Sequence, residues 1–119
     1  MDINRILQKI RTHPESHRMG MVASHLGIVR GSSRNGRKVI GIEVVHDQKI
    51  IDDIIRDIKK LSGIVEVLVE TNHGRLDIGD EVLFVAIGGD IRDNVFPALM
   101  KTVDLIKKNA SRKKEIFED

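Results

Sequence analysis

Cysteine, tryptophan and tyrosine are absent from the 119-residue sequence, and phenylalanine occurs only at Phe84, Phe96 and Phe117. Without cysteine there is no disulfide staple, thiolate metal site or thiol nucleophile. Stacking platforms for bases are built from aromatic faces, so single-stranded nucleic-acid binding is disfavoured. No apolar run approaches the roughly 20 residues of a membrane helix. The N-terminal MDINRILQKIR carries charge in every turn and lacks a signal-peptide core, so a cytoplasmic location with no membrane partner is expected. Charge of one sign is also missing. Twenty basic residues against 18 acidic ones leave a net +2, too balanced for a surface built wholly around polyanions. Any anion site must come from local clustering.

What remains is a chain with 40% hydrophobic residues, 17 of them isoleucine, recurring in periodic blocks that can bury a core. Its length suits a single domain spanning residues 1–119. Ile3, Ile6, Leu7 and Ile10 have helical spacing behind a candidate cap at Asp2, which predicts a helix over 2–12 that Pro14 ends. GMVASHLGIV predicts a buried strand, and VIGIEVV at 39–45 a second. Asn35-Gly36 between them favours a tight turn, so the two strands are expected to pair antiparallel. Ile50, Ile51, Ile54, Ile55 and Ile58 form one helical stripe capped by Asp47. IVEVLVE at 64–70 and EVLFVAI at 81–87 read as strands separated by a loop, and a last helix runs from near Val95 to about Lys108. The predicted class is α+β, in the order α-β-β-α-β-β-α, with helices packed on a mainly antiparallel sheet.

GSSRNGRK has the glycines of a phosphate loop, but it leads into a strand rather than a helix, and a hairpin turn explains it. His13 and His17 have the spacing of a helical metal pair, which Pro14 disrupts, and no metal site is assigned. Among the scattered histidines, His46 stands out because it ends a strand. The C-terminal region is richer, with Lys107, Lys108, Arg112, Lys113 and Lys114 clustered together. A solvated helix end accounts for such a cluster by itself. If the helix continued, Lys107 and Lys114 would share one face, and mutual repulsion would favour amine chemistry. Arg30 and Arg92, both expected at element ends, would complete an anion site of bidentate guanidinium groups.

GIVRGSSRNGRKVIGIEVVH, LDIGDEVLFVAI and IRDNVFPALMKTVDLIKKNASRKKE together resemble the large, catalytic subunit of molybdopterin synthase, in that order and spacing. The resemblance implies a hammerhead-like α+β fold and a sulfurtransferase of molybdenum cofactor biosynthesis. Its substrate would be cyclic pyranopterin monophosphate. The sulfur would come from the C-terminal Gly-Gly thiocarboxylate of a small ubiquitin-like carrier subunit, around a homodimer that forms the core of a heterotetramer. No resident cofactor is implied. Residue by residue, the substrate-contacting Val-Arg segment falls on Ile28, Val29 and Arg30. The His-Arg pair opening the last helix falls on Ile91 and Arg92, and the two catalytic lysines on Lys107 and Lys114. Isoleucine thus stands at 91 where the family has histidine, and Lys113 where it has tryptophan, which leaves either Lys113 or Lys114 as the second functional lysine. The chain is also expected to lack a further C-terminal segment. A diverged non-catalytic relative, a small-molecule-binding regulatory module and a basic RNA-contacting domain are the alternative classes. Only the last would bind electrostatically, with steep salt dependence.

Overall fold

Helix α1, Ile3–Arg11, starts where Asp2 accepts a hydrogen bond from the Arg5 amide at 3.0 Å, and it buries Ile6 and Ile10. The computed structural model describes every residue from Met1 to Asp119. After a single 3₁₀ turn, strand β1 (Met21–Ile28) leads through a long turn to β2 (Val39–His46). Asp47 then caps α2 (Gln48–Lys59), accepting from the amides of Lys49 and Ile50. Strands β3 (Ile64–Thr71), β4 (Gly74–Asp77) and β5 (Glu81–Gly89) follow. Helix α3 (Arg92–Leu105) widens into one π-type turn over Ile106–Ala110 and passes directly into β6 (Ser111–Phe117). No helix is long and apolar enough to cross a membrane.

The strands form two antiparallel three-stranded sheets, ordered β1-β5-β3 and β4-β2-β6. β5 is central in the first and buried on both faces. Leu83, Val85 and Ile87 point into the main core with Ile51, Ile54 and Ile58 of α2 and Val95, Ala98 and Val103 of α3. Phe84 and Ala86 point the other way, against Ile6 and Ile10 of α1. Gly89 ends β5 because the backbone must pass close by. A Cβ there would stand 2.6 Å from the Gly63 carbonyl oxygen and 2.6 Å from a Val95 methyl.

The α+β class with antiparallel sheets and packed helices is as expected, but the element order is α-β-β-α-β-β-β-α-β. β1 and β2 do not pair. A strand that is apolar on both faces needs a neighbour on each edge, and β5 takes β1 as one of them in a register from Met21↔Gly89 to Ile28↔Glu81. The Asn35-Gly36 turn forms, with Gly36 at φ 84°, but it closes only a local loop through the Ser33 amide and Arg37 carbonyl at 2.9 Å. The stretch read as loop between the third and fourth strands contains β4, which pairs with β2. The last helix is α-helical to Leu105 and ends with the π-type turn at Ala110, close to the expected Lys108, and the residues after it form a strand on the other edge of β2.

Replacing Phe84 with alanine removes the largest side chain from the α1-facing core, next to Ile6, Ile10 and Ala86. The expected loss is about 3–5 kcal/mol of unfolding free energy. Urea denaturation followed by far-UV circular dichroism measures it, and an unchanged midpoint would contradict this packing.

Candidate functional site

The chain crosses from one sheet to the other after Ile28, and a cleft of about 550 Å³ opens where the sheets meet. A small apolar cluster of Val29, Ile42 and Val44 with Leu76 and Val82 underlies it. Four cations border the cleft: Arg30 at the exit of β1, Arg34 in the following turn, Lys107 on the π-type turn and Lys113 on β6. Glu115 is the one carboxylate among the lining residues, beside His46, Ser111 and Ser32. The Arg30 Nε donates to the Ser32 carbonyl at 2.8 Å, so the guanidinium is held by its own turn. A pocket with this excess of cations suits an anionic group, and arginine forks suit the oxygens of phosphate or carboxylate.

Strand parity decides which side chains face the cleft. In the β2–β6 register, Ile42 pairs with Glu115, Val44 with Lys113 and His46 with Ser111, so these six residues share one face. Lys114 pairs with Glu43 on the opposite face, where Arg75 and Arg112 also lie. The condition under which Lys107 and Lys114 would occupy one helical face therefore fails, because the helical turns end at Ala110 and Lys114 lies on a strand. Lys113 takes the place beside Lys107. Lys107 is itself exposed, although it follows the buried Ile106.

Of the predicted substrate segment, Ile28 and Arg30 are exposed at the cleft and Val29 is core. Ile91 and Arg92 do not join them. Both are exposed at the start of α3, and 14 helical residues, about 20 Å of rise, separate Arg92 from the turn bearing Lys107. Ile91 provides no side-chain cap. Asp90 beside it accepts from the Ile91 amide at 2.6 Å and from the Asn94 side chain at 2.9 Å, and these bonds lower its pKa, the Asn94 bond most. His13 lies against Glu66 at 3.5 Å, away from the cleft.

His46 is fixed on both sides of its ring, with Nδ1 2.6 Å from the Ser111 hydroxyl oxygen and Nε2 3.1 Å from the Asn72 carbonyl oxygen. A carbonyl only accepts, so Nε2 carries the proton and Nδ1 of the neutral ring receives the hydrogen bond of Ser111. Burial holds the His46 pKa below 6.5; the bond to Asn72 opposes that shift, and His73, 5.6 Å away ring to ring, adds to it. His25 stands on the inward face of β1, and its pKa is lowered first by burial and then by the charge of Lys107. Its buried Nε2 has no hydrogen-bond partner. Arg34, Glu115 and Ser111 escaped the sequence reading, as did the setting of His25. For Ser111 and Glu115 the side of the sheet is set by the pairing of SRKKEIF with β2, which the sequence does not display.

The chain matches the MoaE protein family over residues 1–109, and it belongs to that family. No curated protein matches it. Its fold is similar to molybdopterin synthase from Staphylococcus aureus, with 22% identity and a TM-score of 0.83 over 100% of this chain and 87% of that one. Molybdopterin cofactor biosynthesis protein E from Burkholderia multivorans gives 25% identity and 0.78 over 99% and 82%. A chain from the complex of subunits 1 and 2 of molybdopterin-converting factor from Helicobacter pylori gives 17% and 0.73 over 99% and 80%.

Both shifted histidines refuse protons that the unfolded chain accepts. Their contribution to stability is complete above the ordinary histidine value of 6.5 and is lost as the pH falls below it. The urea midpoint is expected to drop between about pH 7.5 and about pH 5.5, and a His25→Gln, His46→Gln double variant to show a smaller drop. An equal or larger drop in that variant would contradict the assignment.

Proposed function

We propose that this MoaE-family chain is the large subunit of a molybdopterin synthase in molybdenum cofactor biosynthesis, and that its inter-sheet cleft is where sulfur is transferred. The observation that carries the reading is the convergence of Arg30, Arg34, Lys107 and Lys113 on one cleft. The phosphate of cyclic pyranopterin monophosphate would lie against the guanidinium groups. The thiocarboxylate tail of a small Gly-Gly-terminated carrier subunit would enter beside the lysines. As sulfur leaves the acyl carbon for the pterin, negative charge develops on the acyl oxygen, and a fixed ammonium stabilises it. Lys107 takes that role, and Lys113 rather than Lys114 is the second lysine, since only Lys113 lines the cleft.

Arg92 is too far from Lys107 for both to touch one small substrate within a chain, so its substrate contact requires a second copy. Arg92, Phe96 and Met100 lie at i, i+4 and i+8 on α3, and the last two are 50% and 68% exposed. An apolar stripe carrying Arg92 at one end is the surface a homodimer would cover. Sedimentation equilibrium at micromolar concentration should give the dimer mass, with Met100→Glu shifting the equilibrium towards monomer. A wild-type monomer throughout would remove Arg92 from the site.

The reaction itself is tested with a reconstituted mixture of thiocarboxylated carrier and pterin precursor, scored by dithiolene formation. Lys107→Ala should abolish product. Lys113→Ala should lower the rate by about a hundredfold or more, the range for removing one charge-stabilising donor. Lys108→Ala and Lys114→Ala, whose side chains do not line the cleft, should stay near wild type. Full activity in Lys107→Ala contradicts the mechanism. A wild-type chain that binds pterin and carrier yet forms no product identifies a non-catalytic relative, with Ile91 as the first place to look.

A further inference from the structure

The pocket holds one nucleophile–base pair that the sulfur-transfer step leaves unused. Ser111 opens β6 directly across from His46, the last residue of β2, and both line the cleft on the same face as Lys113. The Ser111 hydroxyl points its proton at Nδ1 of His46 across 2.6 Å, while Nε2 is tied at 3.1 Å to the Asn72 carbonyl. The tautomer is thus fixed by a group that cannot donate. When Nδ1 takes a proton, the same carbonyl steadies the imidazolium through the opposite nitrogen. Nucleophile, base and orienting group stand in the sequence that activates a hydroxyl for acyl transfer. The anchors are rigid: the strands pair from Ser111 to Phe117, and the Asp47 amide donates to the Ala110 carbonyl at 2.7 Å, closing the chain just before Ser111. A solvated surface serine needs none of this.

We propose that Ser111 is an acyl acceptor, with His46 as its base, that detaches the carrier's acyl group once the sulfur is bonded to the pterin. The identity of the acyl donor rests on the function proposed above; the pair itself does not. In the step, Ser111 Oγ attacks the carbonyl carbon of the thioester joining carrier and pterin. An O–C bond forms, and the hydroxyl proton moves to His46 Nδ1. The C–S bond then breaks, and sulfur leaves with its electron pair as the pterin thiolate. His46 then gives its proton to solvent, takes one from the water that attacks the seryl ester, and passes it to Oγ as the C–O bond to Ser111 breaks. Together with the pterin thiolate, the products are a carrier carboxylate, two released protons and the free serine. No oxidant or reductant enters. Lys113, two residues along the same strand face and about 7 Å from Ser111, is placed to receive the oxyanion.

The test uses the full chain with N-acetyl-Gly-Gly phenyl thioester, a probe of the carrier tail that contains no pterin. Wild type should release thiophenol in a burst. An acid-quenched sample should carry one N-acetylglycylglycyl group on Ser111, removable by neutral hydroxylamine as an ester is and a lysine amide is not. Ser111→Ala should lose the burst and the labile adduct. His46→Gln should slow acylation by about a hundredfold, the scale of a lost general base. Ser111→Cys should restore a labile adduct, which separates loss of the nucleophile from loss of the fold. A burst retained in Ser111→Ala, or an adduct only on Lys107 or Lys113, overturns the proposal. Dithiolene formed at the wild-type rate by Ser111→Ala in the reconstituted mixture overturns it while leaving the sulfur-transfer reading intact. A labile Ser111 adduct in a chain that makes no dithiolene does the reverse.

Discussion

Strand β5 must be buried on both faces, and the architecture follows from that requirement. Leu83, Val85 and Ile87 need one apolar layer, while Phe84 and Ala86 need another. Helices α2 and α3 supply the first and α1 the second. Both edges of β5 also need partners, which β1 and β3 provide. β2 is thereby excluded from the first sheet and must build its own with β4 and β6. The cleft is the seam between a sheet organised by β5 and a smaller sheet that inherits what β5 leaves over. Its position is a consequence of core packing, while its chemistry comes from residues with little packing to do.

That division explains where the charges sit. Arg30 and Arg34 belong to the chain's passage between sheets, Lys107 to a π-type turn, and Lys113 to a strand with solvent on much of its surface. π-type turns are rare and tend to mark functional positions, since the wider ring gives up regular helical packing. Here the turn reverses the chain from α3 into β6 and presents Lys107 at the mouth of the seam. The neutral Ser111–His46 pair lies deeper. An anion held by the cations therefore meets a hydroxyl and an uncharged imidazole, with Glu115 the one carboxylate in the lining.

Helices α1 and α2 were legible because each carries an apolar stripe at helical spacing and a capping aspartate, Asp2 or Asp47, whose side chain accepts from the first-turn amides; α3 was legible from its stripe alone. β5 was legible from six consecutive apolar residues after Glu81, Val82 to Ile87. β4 and β6 were not. GRLD is four residues long, and SRKKEIF has polar side chains on both faces over most of its length, so neither shows a hydrophobic period. Continuing the last helix through SRKKEIF, the condition under which Lys107 and Lys114 would share a face, misplaces one residue of the site. Around a helix, residues seven apart share a face; along this strand, parity alone decides, and one residue separates the cleft from the far side of the sheet. An ungapped residue match reaches Lys114, whereas the register puts Lys113 in the cleft. Arg30 and Lys107 survive because each sits at a junction, where neither period applies. Ser111 and His46 are an unremarkable pair in sequence, 65 residues apart, until cross-strand pairing joins them.

The central claim is that the seam between the sheets, and no other basic surface, binds the anionic substrate. The rival is the outer face of the small sheet, where Arg75, Arg112 and Lys114 gather beside Glu43. A crystal structure of the chain soaked with cyclic pyranopterin monophosphate separates them directly. The account predicts phosphate density in the cleft, in contact with Arg30, Arg34 or Lys113, with the pterin ring towards Lys107. Phosphate density against Arg112 and Lys114, with the cleft left to solvent, would contradict it.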